Sequence, residues 1–485
     1  MLAFPGVRSA SLLVLAAAAS SYACTYDIPD LAAADGGSRD AATVEASAGG
    51  DAGADAGPSD GTTPQGDAPV VPPVYSDLSD TSKWQVFDTA PVTGGTGESF
   101  GGGSFDGRYV YLAPSTGATS YSVVTRFDTS TGAQGFADPG SWSTFDTLGV
   151  SQSAQGFTGA IYDGTEFFYL TPFVLASGSP DGVVARYDTR APFGTSTSWS
   201  AFDTSAANPN SQGFSGEAFD GRYLYLVPSV KGDNSEPNGF VARYDTQAQF
   251  GNTNSWTFFD LAVLGTSSSL AGFLGAVFDG RYVDFIPSYA SVAVRYDTQA
   301  EFADTASWAT FDTQPVANQP PGFGGGAFDG RYVYYVPGFY AASMGDTFLS
   351  VAVRFDTKGS FTDQASWSGF DVSTVGMNAR GFAGGGFDGR YVYFVPYAVN
   401  ATSPTTFVYD GLVVRYDTTA DFAQATSWSS FDTTGLSQSA HGFFGAVFDG
   451  EYLYLVPSGS TVVARFDAKT PRSLPALPQF QGSFL

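Results

Sequence analysis

Seven near-copies of one unit, each roughly 57 residues long, run from about Leu78 to Asp467, and a period of that order belongs to solenoids, propellers and arrays. With local variants, each copy carries G-F-x-G-x-x-[FY]-D-G, then R-Y-V-Y-L-V-P, then V-x-x-R-[YF]-D, then W-x-x-F-D. The Asp-Gly aspartate falls at Asp106, Asp163, Asp220, Asp279, Asp329, Asp388 and Asp449, and all seven tryptophans share one repeat position. So regular a repeat restricts the chain to a few architectures, and it assigns most aromatic and acidic residues to structure.

The third copy shows the local logic. Gly213 to Phe219 reads as a short strand of small residues, and Asp220-Gly221 as a two-residue type I′ hairpin. Arg222 to Val227 is β-branched and aromatic and stops at Pro228; Phe240 to Asp245 and Trp256 to Asp260 supply two further strands. Helical periodicity is absent from the repeats. Four antiparallel strands repeated seven times predict an all-β, seven-bladed β-propeller with the glycine-rich strand innermost. The last copy lacks a W-x-x-F-D segment, while Trp84-Gln85-Val86-Phe87-Asp88 precedes the first copy. The N-terminal strand is therefore expected to complete the seventh blade and close the ring, whereas an open solenoid would carry polar caps.

Tyr-Val-Tyr, then Arg-[Tyr/Phe]-Asp-Thr, then Ser-Trp-x-x-Phe resembles the kelch repeat family across residues 78–467. Val-Pro, as at Val336-Pro337, stands where that family carries a glycine doublet. The resemblance implies a propeller fold and a binding habit; it does not imply a reaction.

The ends predict export. Residues 1–23 read as a signal peptide whose apolar run, Leu12 to Ala19, is too short to span a bilayer. Cys24, the sole cysteine, follows in the place that a bacterial lipoprotein signal lipidates, although Ser21 replaces the usual leucine. Residues 24–75 are rich in Asp, Gly, Ala, Ser and Pro and read as a disordered acidic tether. The propeller is expected over 76–470 and a tail over 471–485. The expected location is the outer membrane or cell surface through the anchor, or otherwise the periplasm or exterior. Membrane contact is expected through the anchor alone, and the chain is read as a monomer.

A net charge of −26, with 47 acidic against 21 basic residues and no basic stripe, argues against nucleic acid as a partner. No cofactor is implied. No metal is expected either, because the Asp-Gly aspartates suit turns, no D-x-[DN]-x-[DN]-G loop occurs, and the chain has one histidine. The arginine column (Arg126, Arg186, Arg243, Arg295, Arg354, Arg415, Arg465) is expected to bond repeat aspartates such as Asp146 or Asp203.

Function is sought where the repeat breaks. Connections between second and third strands are long at 229–239, 338–350 and 397–411 and short at 288–291, so one face of the ring varies while the Asp-Gly face does not. Around the channel mouth on the variable face, Glu98, Gln155, Gln212, Arg380 and His441 are ligand-binding candidates, beside Ala271 and Pro321 at the same repeat position. Two acids break otherwise uniform columns: Glu217 among glycines and alanines, and Asp284 in place of a tyrosine. They are the only catalytic candidates, for a polysaccharide hydrolase or lyase working with paired carboxylates. The leading expectation is non-catalytic binding of a polysaccharide or protein; a purely structural surface role is the third reading.

Overall fold

The computed structural model describes residues 71–94, 99–115, 122–231, 236–265, 270–320, 322–340, 347–400, 407–475 and 477. The expected signal peptide, Cys24, the tether up to residue 70, and Glu98 and Pro321 lie outside them.

Seven four-stranded antiparallel sheets form the blades. In the third, Phe214–Phe219, Tyr223–Pro228, Phe240–Asp245 and Trp256–Asp260 pair in chain order from the inside out. In the seventh, Trp84–Asp88 pairs with Val462–Asp467, with Trp84 opposite Phe466 and Asp88 opposite Val462, so the N-terminal strand completes the last blade as expected. The innermost strands of successive blades pack on one another, the seventh on the first included. No helix among the described residues is long and apolar enough to cross a membrane.

Between blades, each tryptophan stacks on the fourth-strand phenylalanine of the blade before it, at centroid separations of 4.3–5.2 Å. Trp84 on Phe431 and Trp142 on Phe87 carry this stacking across the closure. Each indole N–H donates to the carbonyl six residues upstream, at 2.8–3.3 Å, which satisfies the polar edge of a buried ring.

Three local expectations change. The inner-strand glycines mark a β-bulge: in the third blade the register shifts between Phe214 and Glu217, and Gly216 sits at φ 81°, which a side chain would resist. The Asp-Gly hairpin is not type I′, since only its glycine lies at positive φ (Gly221, 97°). Asp220 instead turns the chain with its side chain: Oδ1 accepts the Arg222 and Tyr223 N–H groups and Oδ2 the Tyr225 hydroxyl. The arginine column faces rings rather than Asp146 or Asp203. Each guanidinium lies 3.9–4.3 Å from the ring that opens its own blade's second strand. Within the column Arg295 alone, among the described residues, also pairs with aspartates, Asp279 and Asp284; the other ion pairs run mostly from the arginine after Asp-Gly to the last residue of the third strand, as in Arg222–Asp245 at 2.7 Å.

Candidate functional site

The variable face is built by connections that the repeat does not dictate. Three long ones fold into ribbons of their own: Val230–Lys231 with Glu236–Pro237, Phe339–Tyr340 with Thr347–Phe348, and Ala398–Asn400 with Phe407–Tyr409. The last two stand on the fifth and sixth blades, and their second arms carry the aromatic side chains Phe348, Phe407 and Tyr409.

These rings join in one run. Phe339 stacks on Tyr397 at 6.1 Å; Tyr397 meets Tyr409 at 5.6 Å and Phe444 at 5.3 Å; Phe407 meets Tyr409 at 5.5 Å. Tyr409 and the ring of His441 lie 5.7 Å apart and within 10° of parallel. Tyr409 rests on Gly442 and Gly459, where an added Cβ would come within 2.6 Å of its ring. The ring thus lies flat on backbone, and it is still 37 % exposed, with Val408 beside it 50 % exposed. Tyr409, Val408 and His441 form the outer edge of an aromatic ledge whose inner members are core.

The ledge continues into the channel. Leu274, Ala383 and Phe444, second residues of the innermost strands of blades four, six and seven, make one buried cluster with Tyr397 against it. Contact among three blades that are not all neighbours places this cluster at the axis, so the variable-face mouth has an apolar floor. On the hairpin face, Leu474 packs on the clusters of blades two and three and of blades six and seven. Arg472 reaches the first blade, 5.3 Å from the Phe105 ring. The first and last strands among the described residues are there: Val74–Tyr75 pairs with Lys469–Thr470, and Tyr75 packs on Tyr391.

Gln155, Gln212, Arg380 and His441 are all half-buried at the variable-face mouth. Gln155 donates to the Gln152 carbonyl at 2.8 Å, and Arg380 to that of Met377 at 3.1 Å. His441 keeps a buried Nδ1 without a partner, and burial holds its pKa below the usual imidazole value.

Glu217 and Asp284 are not brought together. Glu217 is 1 % exposed and points from the third blade into the second, where the Thr171 hydroxyl and the Ala160 N–H donate to it beside Gly159. Burial pushes its carboxyl up to about 8, so it is protonated at neutral pH. Asp284 lies in the fourth blade and takes a two-pronged bond from Arg295 at 2.8 and 3.0 Å. Arg295 also bonds the turn aspartate Asp279 at 2.9 Å, replacing the tyrosine hydroxyl that serves there in the third blade. Burial raises Asp284 to about 6 despite that partner. Drift at one column has been compensated at another.

Sequence reasoning missed the ledge and two buried acids, Asp181 and Asp410, 5 % and 8 % exposed. The signal for the ledge was present: Tyr397, Phe407 and Tyr409 crowd a connection where the repeat needs no aromatic residue.

No family model matches the chain, and no curated protein does. Solved structures do match in shape. Virginiamycin B lyase from Staphylococcus aureus aligns over 79 % of this chain and 99 % of its own, with TM-score 0.51 and 9 % identity. The WD40 domain of Neurospora crassa Pan2 aligns over 83 % and 100 %, with TM-score 0.50 and 7 % identity. The chain is a β-propeller. Identities this low carry the fold and nothing of the chemistry, and the kelch-like likeness stays one of residue pattern.

Proposed function

We propose that this protein is an exported, non-catalytic β-propeller that holds a polysaccharide against the aromatic ledge of its variable face. The observation that carries this reading is Tyr409: a ring laid flat on glycine backbone, partly exposed, nearly parallel to the His441 ring and preceded in the chain by the exposed Val408. A flat apolar platform with polar groups nearby suits the face of a sugar ring, whose C–H groups stack while its hydroxyls find partners. Arg380, Gln155 and Gln212 are the mouth residues offered as those partners.

The place where the expected tether joins the propeller is compatible with display. Val74 and Tyr75, its last residues, lie on the hairpin face, with Tyr75 5.8 Å from Tyr391. A tether that joins there leaves the ledge on the opposite face uncovered. The catalytic alternative has less support, because Glu217 and Asp284 are buried in different gaps between blades, one against Thr171 and one on Arg295.

The test is retention of the full chain on immobilised neutral plant and bacterial polysaccharides, with release of new chain ends read from the same samples. The expected result is retention without new ends, weakened about tenfold or more in Tyr409→Ala, which corresponds to about 1.4 kcal/mol. New chain ends would replace this reading with the hydrolase or lyase one. Failure to bind any polymer would leave a protein partner or a structural surface role.

A further inference from the structure

The hairpin face repeats one turn around the ring and departs from it at the seventh blade. There Glu451 stands where five copies carry an arginine after Asp-Gly (Arg108, Arg222, Arg281, Arg331, Arg390). The turn aspartate of that blade, Asp449, receives an arginine from the segment expected to be a tail: Arg472 lies 3.6 Å from its carboxylate and donates to its carbonyl at 2.9 Å. The Ser473 N–H donates to the Gly450 carbonyl at 2.8 Å.

From this hairpin the strap formed by residues 471–477 crosses the mouth of the channel. Arg472 reaches Thr129 Oγ1 at 3.3 Å and the Phe105 ring at 5.3 Å, both in the first blade. Leu474 packs on the clusters of blades two and three and of blades six and seven. A side chain that touches both sides of the ring stands over its axis. Pro475 lies on the sixth hairpin, 3.7 Å from where a Cβ on Gly389 would stand. Leu477, 5 % exposed, is buried in the cluster of blades five and six that holds Phe387. Every innermost strand ends at this mouth in phenylalanine or, in the second blade, tyrosine. Lifting the strap would bare apolar surface on opposite sides of the mouth, and patches of that kind mark places where something binds.

Side chains hold the strap, not a strand ladder. Pro471, Pro475 and Pro478 have no N–H to pair, which does not suit an added strand. Among the described residues, its one backbone–backbone bond to the ring is Ser473 to Gly450. An arginine on a carboxylate and two leucines in apolar clusters are the kind of anchors by which a short extended peptide is recognised. A segment with so few backbone bonds opens more readily than the blades beneath it.

We propose that the hairpin-face mouth is a peptide-binding site, held in this chain by residues 471–477, whose ligand class is an extended, proline-broken peptide of the pattern Arg-x-Leu-x-x-Leu. The strap is the resident ligand, and a free peptide of the same pattern enters when it lifts. The site lies on the face opposite the ledge and does not depend on the polysaccharide reading.

The probe is a fluorescent peptide of residues 471–478, Pro-Arg-Ser-Leu-Pro-Ala-Leu-Pro, titrated by anisotropy against two full-length proteins. One is wild type; the other carries Leu474→Asp and Leu477→Asp together, so that its own strap cannot seat. The double variant should keep a cooperative thermal transition and bind one equivalent of peptide with a Kd at or below about 0.1 mM. Wild type should bind at least about tenfold more weakly, because its joined strap competes at an effective concentration of about 1 mM. A peptide carrying Arg472→Ala or Leu474→Asp should lose about tenfold or more on the double variant. Hydrogen exchange on wild type needs no variant: the Ser473 N–H should exchange well before those of Val462–Asp467 in the same blade. Equal binding by both proteins, no binding by a folded double variant, or exchange at Ser473 as slow as in Val462–Asp467 overturns the site. Failure of the double variant to fold overturns it too, since the strap would then be core and not a ligand.

Discussion

The two faces of the ring are made by the same strands and obey different rules. On the hairpin face, five blades repeat one device: an aspartate whose Oδ1 closes the turn and whose Oδ2 takes a tyrosine hydroxyl, as with Asp106 and Tyr111 or Asp329 and Tyr334. On the variable face, two blades raise aromatic ribbons, another buries Asp181, and the short connection at 288–291 makes no ribbon. The hairpin face is where the fold is held, and repetition suits it because every blade has the same turn to make. The variable face is relieved of that duty, so its residues were free to diverge. What differs there is the place to look for a ligand.

Four changes break or sharpen that contrast. The largest effect is expected from deleting residues 76–90, which removes the strand Trp84–Asp88 from the seventh blade and its stack on Phe431. Both faces depend on the closed ring, so thermal unfolding should lose its single cooperative transition and polymer retention should vanish with it.

Next comes Asp220→Ala on the hairpin face. Two backbone N–H groups and the buried Tyr225 hydroxyl lose their acceptor, a cost of about 1–3 kcal/mol per group left buried and unpaired. Denaturant titration should show that loss while retention at the ledge stays intact; Tyr409→Ala should do the reverse.

Glu217→Gln tests the gap between blades two and three. A carboxyl whose folded pKa is raised from 4.5 to about 8 binds its proton more tightly folded than unfolded. Stability therefore falls as pH climbs from the unfolded value toward 8, with a slope of up to about 1.4 kcal/mol per pH unit. Wild type should be less stable at pH 8 than at pH 5, and Glu217→Gln should flatten that part of the profile and be the more stable protein at pH 8.

Arg222→Ala should matter least. It removes an ion pair with Asp245 in which the arginine side chain is 51 % exposed. Exposed pairs contribute about 0–1 kcal/mol, so its unfolding midpoint should lie close to that of wild type.

Much of this fold was legible because each blade repeats the same solution to the same burial problem. The phenylalanine and tryptophan of Phe250 and Trp256 were visible as a fixed spacing, and the spacing is what lets the indole N–H reach the Phe250 carbonyl. The unmatched tryptophan strand at the N-terminus was visible as a missing piece at the C-terminus. Position in a column was less informative about role. Asp284 stood out at once, yet nothing in sequence tied it to Arg295, whose copies in the other blades lie between rings instead. Glu217 stood out too, and only the neighbouring blade revealed that Gly159 makes room for it.

The ledge was hidden for the opposite reason. In a chain so rich in repeat aromatics, Phe407 and Tyr409 are set apart only by the connection that holds them, and connections of unequal length give no column in which to compare them. Asp181 and Asp410 escaped for the same cause, since variable connections offer no column from which to depart.

By itself the sequence determined blade number, strand order and ring closure, because those follow from periodicity and from which residues can be buried on a strand of period two. Tertiary structure alone decided which side chains from different blades meet: Glu217 with Thr171, Phe444 with Leu274 across the axis, Tyr409 with His441. Those contacts depend on how far one blade is rotated against the next, a quantity set by packing around the whole ring and written in no single repeat.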